Sequence, residues 1–115
     1  MALTKTQIQE IEKAAAKFMY YHRPPVEIRE KLDIGYRIEE QSVYVFEIRP
    51  RWDKPEVIHE TPIAKTTFVK AKKHWKIFWM RANLKWYHYE PVPYVKNIDQ
   101  FFDVVGEDKL GCFWG

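Results

Sequence analysis

Between Thr61 and Tyr89 the chain carries seven Lys or Arg residues (Lys65, Lys70, Lys72, Lys73, Lys76, Arg81 and Lys85), two His, and no Asp or Glu. Interleaved with them are seven aromatics: Phe68, Trp75, Phe78, Trp79, Trp86, Tyr87 and Tyr89. Cations beside rings suit one kind of chemistry. Ammonium and guanidinium groups neutralise phosphates with release of counterions, while exposed rings stack on bases. The 115-residue chain has a net charge of only +3, so the remainder, with 12 basic and 16 acidic residues, stands at −4. Charge is therefore segregated along the sequence. Lys70, Lys72, Lys73, Lys76, Arg81 and Lys85 are the residues this pattern assigns to binding nucleic acid or another polyanion. The competing assignment puts Trp75, Phe78, Trp79 and Trp86 in the core and makes the lysines solvated residues that discourage edge-to-edge pairing. On the strand registers below, the Trp residues act mainly to hold the sheet together, and the lysines carry the functional signal.

Other chemistry has thinner support. Four glycines leave no GxGxxG and no GxxxxGK[ST] phosphate loop. His22, His59, His74 and His88 show no metal-ligand spacing, and the lone Cys112 rules out a cysteine-rich zinc site and an internal disulfide. Asp33 followed by Glu47-Ile48-Arg49 faintly suggests the paired carboxylates of a metal-dependent nuclease, but Arg stands where such sites use Lys, and Pro50 breaks the layout. Arg49 and Arg51 beside Trp52 suit either an anion or cation–π site or a pinned loop, the loop being the commoner case. No catalytic residue, metal or cofactor is assigned, and a non-enzymatic module is expected. The alternative partner is another protein, as adaptor or homodimer, reached through exposed Trp and Tyr. No apolar run approaches the ~18 residues of a membrane span and no signal peptide is evident, so no membrane partner and a cytoplasmic location are expected.

Those side chains need a frame, which the pattern supplies as one α+β domain over residues 1–115. Thr4 with Gln7 forms a capping box, and Leu3 with Ile8 a hydrophobic staple. Ile8, Ile11, Ala15, Phe18, Met19 and His22 then share one face of a helix over about residues 5–22, ended by Pro24-Pro25. It packs on an antiparallel sheet of four to six strands. Residues 32–39 and 43–49 are read as a hairpin with a three-residue loop, pairing Ile38 with Tyr44, Tyr36 with Phe46 and Ile34 with Ile48. Residues 56–60 are a short strand limited by Pro62, and 63–70, 74–81 and 84–90 are further strands. A two-residue loop at Ala82-Asn83 sets Trp79 opposite Trp86, Phe78 opposite Tyr87 and Trp75 opposite Glu90. Pro91-Val92-Pro93 ends the sheet. Asn97 with Gln100 caps a short helix carrying Ile98, Phe101, Phe102 and Val105, with Gly106 closing it. Leu110, Phe113 and Trp114 tuck the end of the chain against the core.

Two resemblances bear on function. The run Trp75-Lys76-Ile77-Phe78-Trp79-Met80-Arg81-Ala82-Asn83-Leu84-Lys85-Trp86, with Tyr89-Glu90-Pro91 and Gly111-Cys112-Phe113-Trp114-Gly115, resembles a small bacterial family catalogued as domain of unknown function 3024. That resemblance implies a compact stand-alone bacterial protein and brings no activity or site residues. The run from Gly111 to Gly115 also matches the nucleophile motif of peptide methionine sulfoxide reductase A. In that family the motif opens a helix near the start of a larger domain. Here it follows Glu107-Asp108-Lys109-Leu110 and has no downstream carboxylate, tyrosines or second cysteine, so coincidence and a buried, inert Cys112 are expected.

Overall fold

In the computed structural model, which describes residues 3–114, helix α1 (Lys5–His22) begins where the capping signal places it. Gln7 donates its backbone N–H to Thr4 Oγ1 at 3.1 Å, and Thr4 donates its own to Gln7 Oε1 at 2.8 Å. Ile11, Ala14, Ala15 and Phe18 are buried. His22, expected on the apolar stripe, is exposed, with its ring stacked on Phe18 at 4.7 Å. Arg23 ends the helix and grips Asp33 in two parallel hydrogen bonds of 3.0 and 2.9 Å.

Six strands follow: β1 (Asp33–Glu39), β2 (Ser42–Pro50), β3 (Ile58–Val69), β4 (His74–Met80), β5 (Trp86–His88) and β6 (Tyr94–Val95). They form one antiparallel sheet in the order β1-β2-β3-β4-β5, with β6 also paired to β4. Helix α2 (Ile98–Glu107) completes the α+β fold. Gln100 Oε1 accepts from the backbone N–H groups of Lys96 and Asn97, and Ile98, Phe101, Phe102 and Val105 are buried.

The structure corrects several registers. The first hairpin turns over two residues, Glu40-Gln41, and pairs Ile38 with Val43, Tyr36 with Val45 and Ile34 with Glu47. Glu40 takes the left-handed conformation (φ 52°) that tight reversals favour. Pairing Ile34 with Glu47 turns a carboxylate toward the helix side of the sheet. There Glu47 lines an open cleft with His22 and Trp114, where Arg49 reaches it at 3.0 Å. The two strand segments around Pro62 join into a single β3. Pro62 is tolerated because β4 pairs with β3 only from Ala64 onward, leaving Pro62 on a local edge.

Between β4 and β5 the turn is wider than two residues, with Leu84 left-handed (φ 62°). Asn83 Oδ1 accepts the Lys85 N–H at 3.1 Å, and Asn83 Nδ2 donates to the Tyr87 hydroxyl at 2.8 Å. Met80 therefore faces Trp86, Trp79 faces Tyr87 and Phe78 faces His88. That one-residue slip places Trp79 and Trp86 on opposite faces of the sheet. Nor does the sheet end at Pro91. The prolines make a detour, Ile77 N–H donates to Pro93 O at 3.0 Å, and β6 returns to pair Val95, not Glu90, with Trp75.

Gly106 lies inside α2 and does not close it. A Cβ there would stand 2.7 Å from His22 Nε2, so the glycine makes room for the ring joining the two helices. The helix turns at Asp108 (φ 43°), whose carboxylate accepts the N–H groups of Phe113 and Trp114 at 3.0 and 2.9 Å. Trp114 Nε1 donates to Val105 O at 2.9 Å. Phe113 is buried as expected, whereas Leu110 points to solvent.

Alternation along the strands puts Ile34, Val43, Val45, Ala64, Thr66, Trp75 and Ile77 on one face, all buried with the apolar residues of both helices. Among the described residues no helix lies over the opposite face.

Candidate functional site

The open face is organised along β4, whose outward residues are His74, Lys76, Phe78 and Met80. At one end the His74 ring lies on Tyr94, centroids 4.4 Å apart and planes 18° from parallel. Tyr94 is 55% exposed even with His74 against its ring. Lys76 comes next, beside Tyr94 and Thr67 in the ladder. Phe78 follows, with its ring centroid 4.8 Å from that of His88 and the two planes tilted by 36°. Lys65 is the cross-strand neighbour of Phe78, and its Nζ sits 5.3 Å from Phe78, 5.7 Å from Tyr44 and 5.8 Å from Trp86. Tyr44 and Trp86 meet across it at 6.1 Å. Cation–π attraction to three rings holds this ammonium in place.

Charge varies across the face. On the β1 side Arg37 lies over Phe46 and is matched by Glu39 and Glu60 at 3.4 and 3.6 Å. Phe46 can lie there because Gly35 has no side chain; a Cβ would stand 2.8 Å from its ring. From Thr61 through β4, β5 and β6 the strands carry no Asp or Glu. The basic half of the face is the half with the His74–Tyr94 and Phe78–His88 ring pairs.

Of the six cations the sequence singled out, Lys70, Lys72 and Lys73 lie in and beside the β3–β4 turn, next to the His74–Tyr94 pair, and Lys76 lies on the open face. Arg81 and Lys85 sit beyond the opposite end of β4, about 20 Å away at 3.3 Å per residue. Arg81 also turns toward the helix side. Its guanidinium stacks on Trp79 and Tyr87 at 5.6 and 4.7 Å and lines an open cleft of about 620 Å3 with Glu90 and Cys112. Sequence reasoning left Lys65, His74, His88, Tyr44 and Tyr94 out of the site. Their residue types were suggestive, but the faces of Tyr44 and His88 depend on registers that were misread by one residue, and those of Lys65, His74 and Tyr94 on β3–β4 and β4–β6 pairings that local patterns do not reveal.

The other candidates resolve into structural contacts. Asp33 and Glu47 fall on opposite faces by register and are each bound by an arginine, which removes the paired-carboxylate geometry. The Arg23 hydrogen bonds, reinforced by the Ile34 N–H, hold the Asp33 carboxyl below its ordinary range. Among the described residues no three His, Cys, Asp or Glu side chains come together as a metal site would require. Arg51 is bound to Asp53 at 2.6 Å, pinning the loop from which Trp52 projects. Cys112 is half-buried and opens no helix, and burial, with the Asp108 carboxylate adding, pushes its thiol above the ordinary range. This is the reverse of an activated thiolate. Gly115, the last residue of the reductase-like motif, lies outside the described residues.

Residues 3–115 match the model of a family described as Domain of unknown function (DUF3024), and the chain belongs to that family. Neither a curated protein nor a solved structure matches it. No helix of the described residues is long and apolar enough to cross a membrane.

Proposed function

We propose that this member of the DUF3024 family is a non-enzymatic binding module whose basic half-sheet engages nucleic acid or another polyanion. The observation that carries this is the placement of Lys65, Lys76 and the Lys70–Lys73 turn about a sheet face that no helix covers, on strands without a carboxylate from Thr61 onward. Both helices pack on the other side, so these cations are not needed to close the core. Lys85 lies beyond the far end of β4 and would be reached only by a ligand that spans the strand, while Arg81, turned toward the helix side, is not part of this face.

The test is binding to heparin or to nucleic acid at two salt concentrations. Contacts to four or five single-strand phosphates predict a log–log salt slope of about −3. Lys72→Glu/Lys73→Glu is expected to weaken binding at least tenfold while leaving the fold intact. Binding that ignores both salt and charge reversal rules the module out.

One observation favours a protein partner instead: Trp52 is 95% exposed in the β2–β3 loop. Exposed Trp residues are common interface anchors. A strictly monomeric light-scattering profile at high protein concentration would remove the homodimer version.

A further inference from the structure

We infer that the half-sheet takes single-stranded nucleic acid in particular, with unpaired bases stacking on Tyr94, His88 and Trp86 and phosphates meeting Lys73, Lys76 and Lys65. The inference rests on the polyanion module and goes beyond it by naming the ligand's form and the rings that read it.

Three features carry it. The first is alternation. Along the outer side of β4 the order is the Lys72-Lys73 turn, the His74–Tyr94 stack, Lys76, then the tilted Phe78–His88 pair with Lys65 beside Phe78 on the β3 side, and Trp86 opposite Met80. From the turn to Phe78, charges and rings alternate along the strand, and Lys65 flanks the last of them, an arrangement that suits a ligand with alternating phosphates and bases. A polyanion without bases would need only the charges.

The second is preorganisation. Tyr94 and His88 already lie on another ring, which sets their planes before any ligand arrives and reduces the ordering that binding demands. Both residues are exposed on the sheet, so a base can cover the remaining side. The third is shape. The row runs along an open strand, with no projecting helix to enter a major groove. The rings can act only on bases that are splayed out, because the bases of a duplex are already stacked on one another.

The experiment compares fluorescence-anisotropy titrations of a single-stranded oligonucleotide of about twelve nucleotides, the matching duplex, and heparin. Wild type is expected to bind the single strand more tightly than the duplex. Tyr94→Ala and Trp86→Ala are each expected to weaken single-strand binding by about 5- to 150-fold, the range for losing one base–ring stack, with heparin affinity kept within about twofold. Tyr94→Phe, which keeps the ring, should bind like wild type and so separates stacking from misfolding. If heparin binds but Tyr94→Ala and Trp86→Ala leave single-strand affinity unchanged, or the duplex binds more tightly, base stacking is overturned while the polyanion module stands. If wild type binds neither heparin nor oligonucleotide, the module fails and the stacking platform fails with it.

Discussion

On the inner face of β4, Trp75 and Ile77 are 5% and 0% exposed beneath the two helices. On its outer face, His74, Lys76 and Phe78 are half-buried, with His74 against Tyr94 and Phe78 against His88 on the neighbouring strands. The same strand presents aromatic side chains in both directions, yet the two sets have different work. Inside, rings and aliphatic side chains interlock with Ile11, Phe18, Phe101 and Phe102, and removing one opens a cavity. Outside, rings are paired with His or Lys and keep part of their surface in water. The difference teaches that aromatic content in a sheet does not by itself report its core. What decides is whether a second layer lies across the face.

The contrast can be tested most sharply by the same substitution on each face. Trp75→Ala should cost about 3–5 kcal/mol of folding stability, measured by chemical denaturation, because a large buried side chain is lost and the cavity collapses only partly. Trp86→Ala should cost about 1 kcal/mol, the loss of its ring contacts with Tyr44 and Lys65. Equal losses would mean that the outer rings form a second structural layer and are not a surface kept free for a ligand.

Gly35→Ala comes next. Its new methyl meets the Phe46 ring on the outer face, and overpacking of this kind costs about 1–3 kcal/mol. The denaturation midpoint should fall while binding at the β4 row, on the basic half of the face, persists in the folded fraction. Lost binding without lost stability would join the two halves of the face into one site.

The smallest expected effect concerns the tie between the helix layer and the sheet. The carboxyl of Asp33 is held below its ordinary value by Arg23, so the pair stabilises the fold at neutral pH and loses that contribution as pH falls through the lowered folded-state value. Asp33→Asn should therefore lower the melting temperature near neutrality, and the gap from wild type should close below about pH 4. A gap that does not change with pH would show that the charge pair is not what holds α1 against β1.

Much of the fold was legible in the sequence because its signals are local. The Thr4–Gln7 box and the Pro24-Pro25 stop bound α1, and the spacing of Ile98, Phe101, Phe102 and Val105 defines the buried side of α2. Strand segments showed in runs of β-branched and aromatic residues. Registers were harder. The reversals at Glu40 and Leu84 place non-glycine residues at positive φ, so the usual turn signal is absent. A carboxylate facing inward at Glu47 is acceptable only because a cleft and Arg49 receive it. The end of α2 was misplaced for a similar reason, since Gly106 serves the His22 ring and not the turn.

By itself, the sequence determined the α+β class, the bounds of α1, the start of α2 and the segregation of seven cations between Thr61 and Tyr89, since propensity, capping and composition act over neighbouring residues. Only the tertiary structure decided which side chains share a face. Strand side chains alternate with a period of two, so a single residue of turn geometry reverses the direction of every side chain after it. That is why Trp79 and Trp86, expected on the same face, lie on opposite sides. It is also why Lys65, Lys76 and Tyr94, far apart in the chain, come to line one open row.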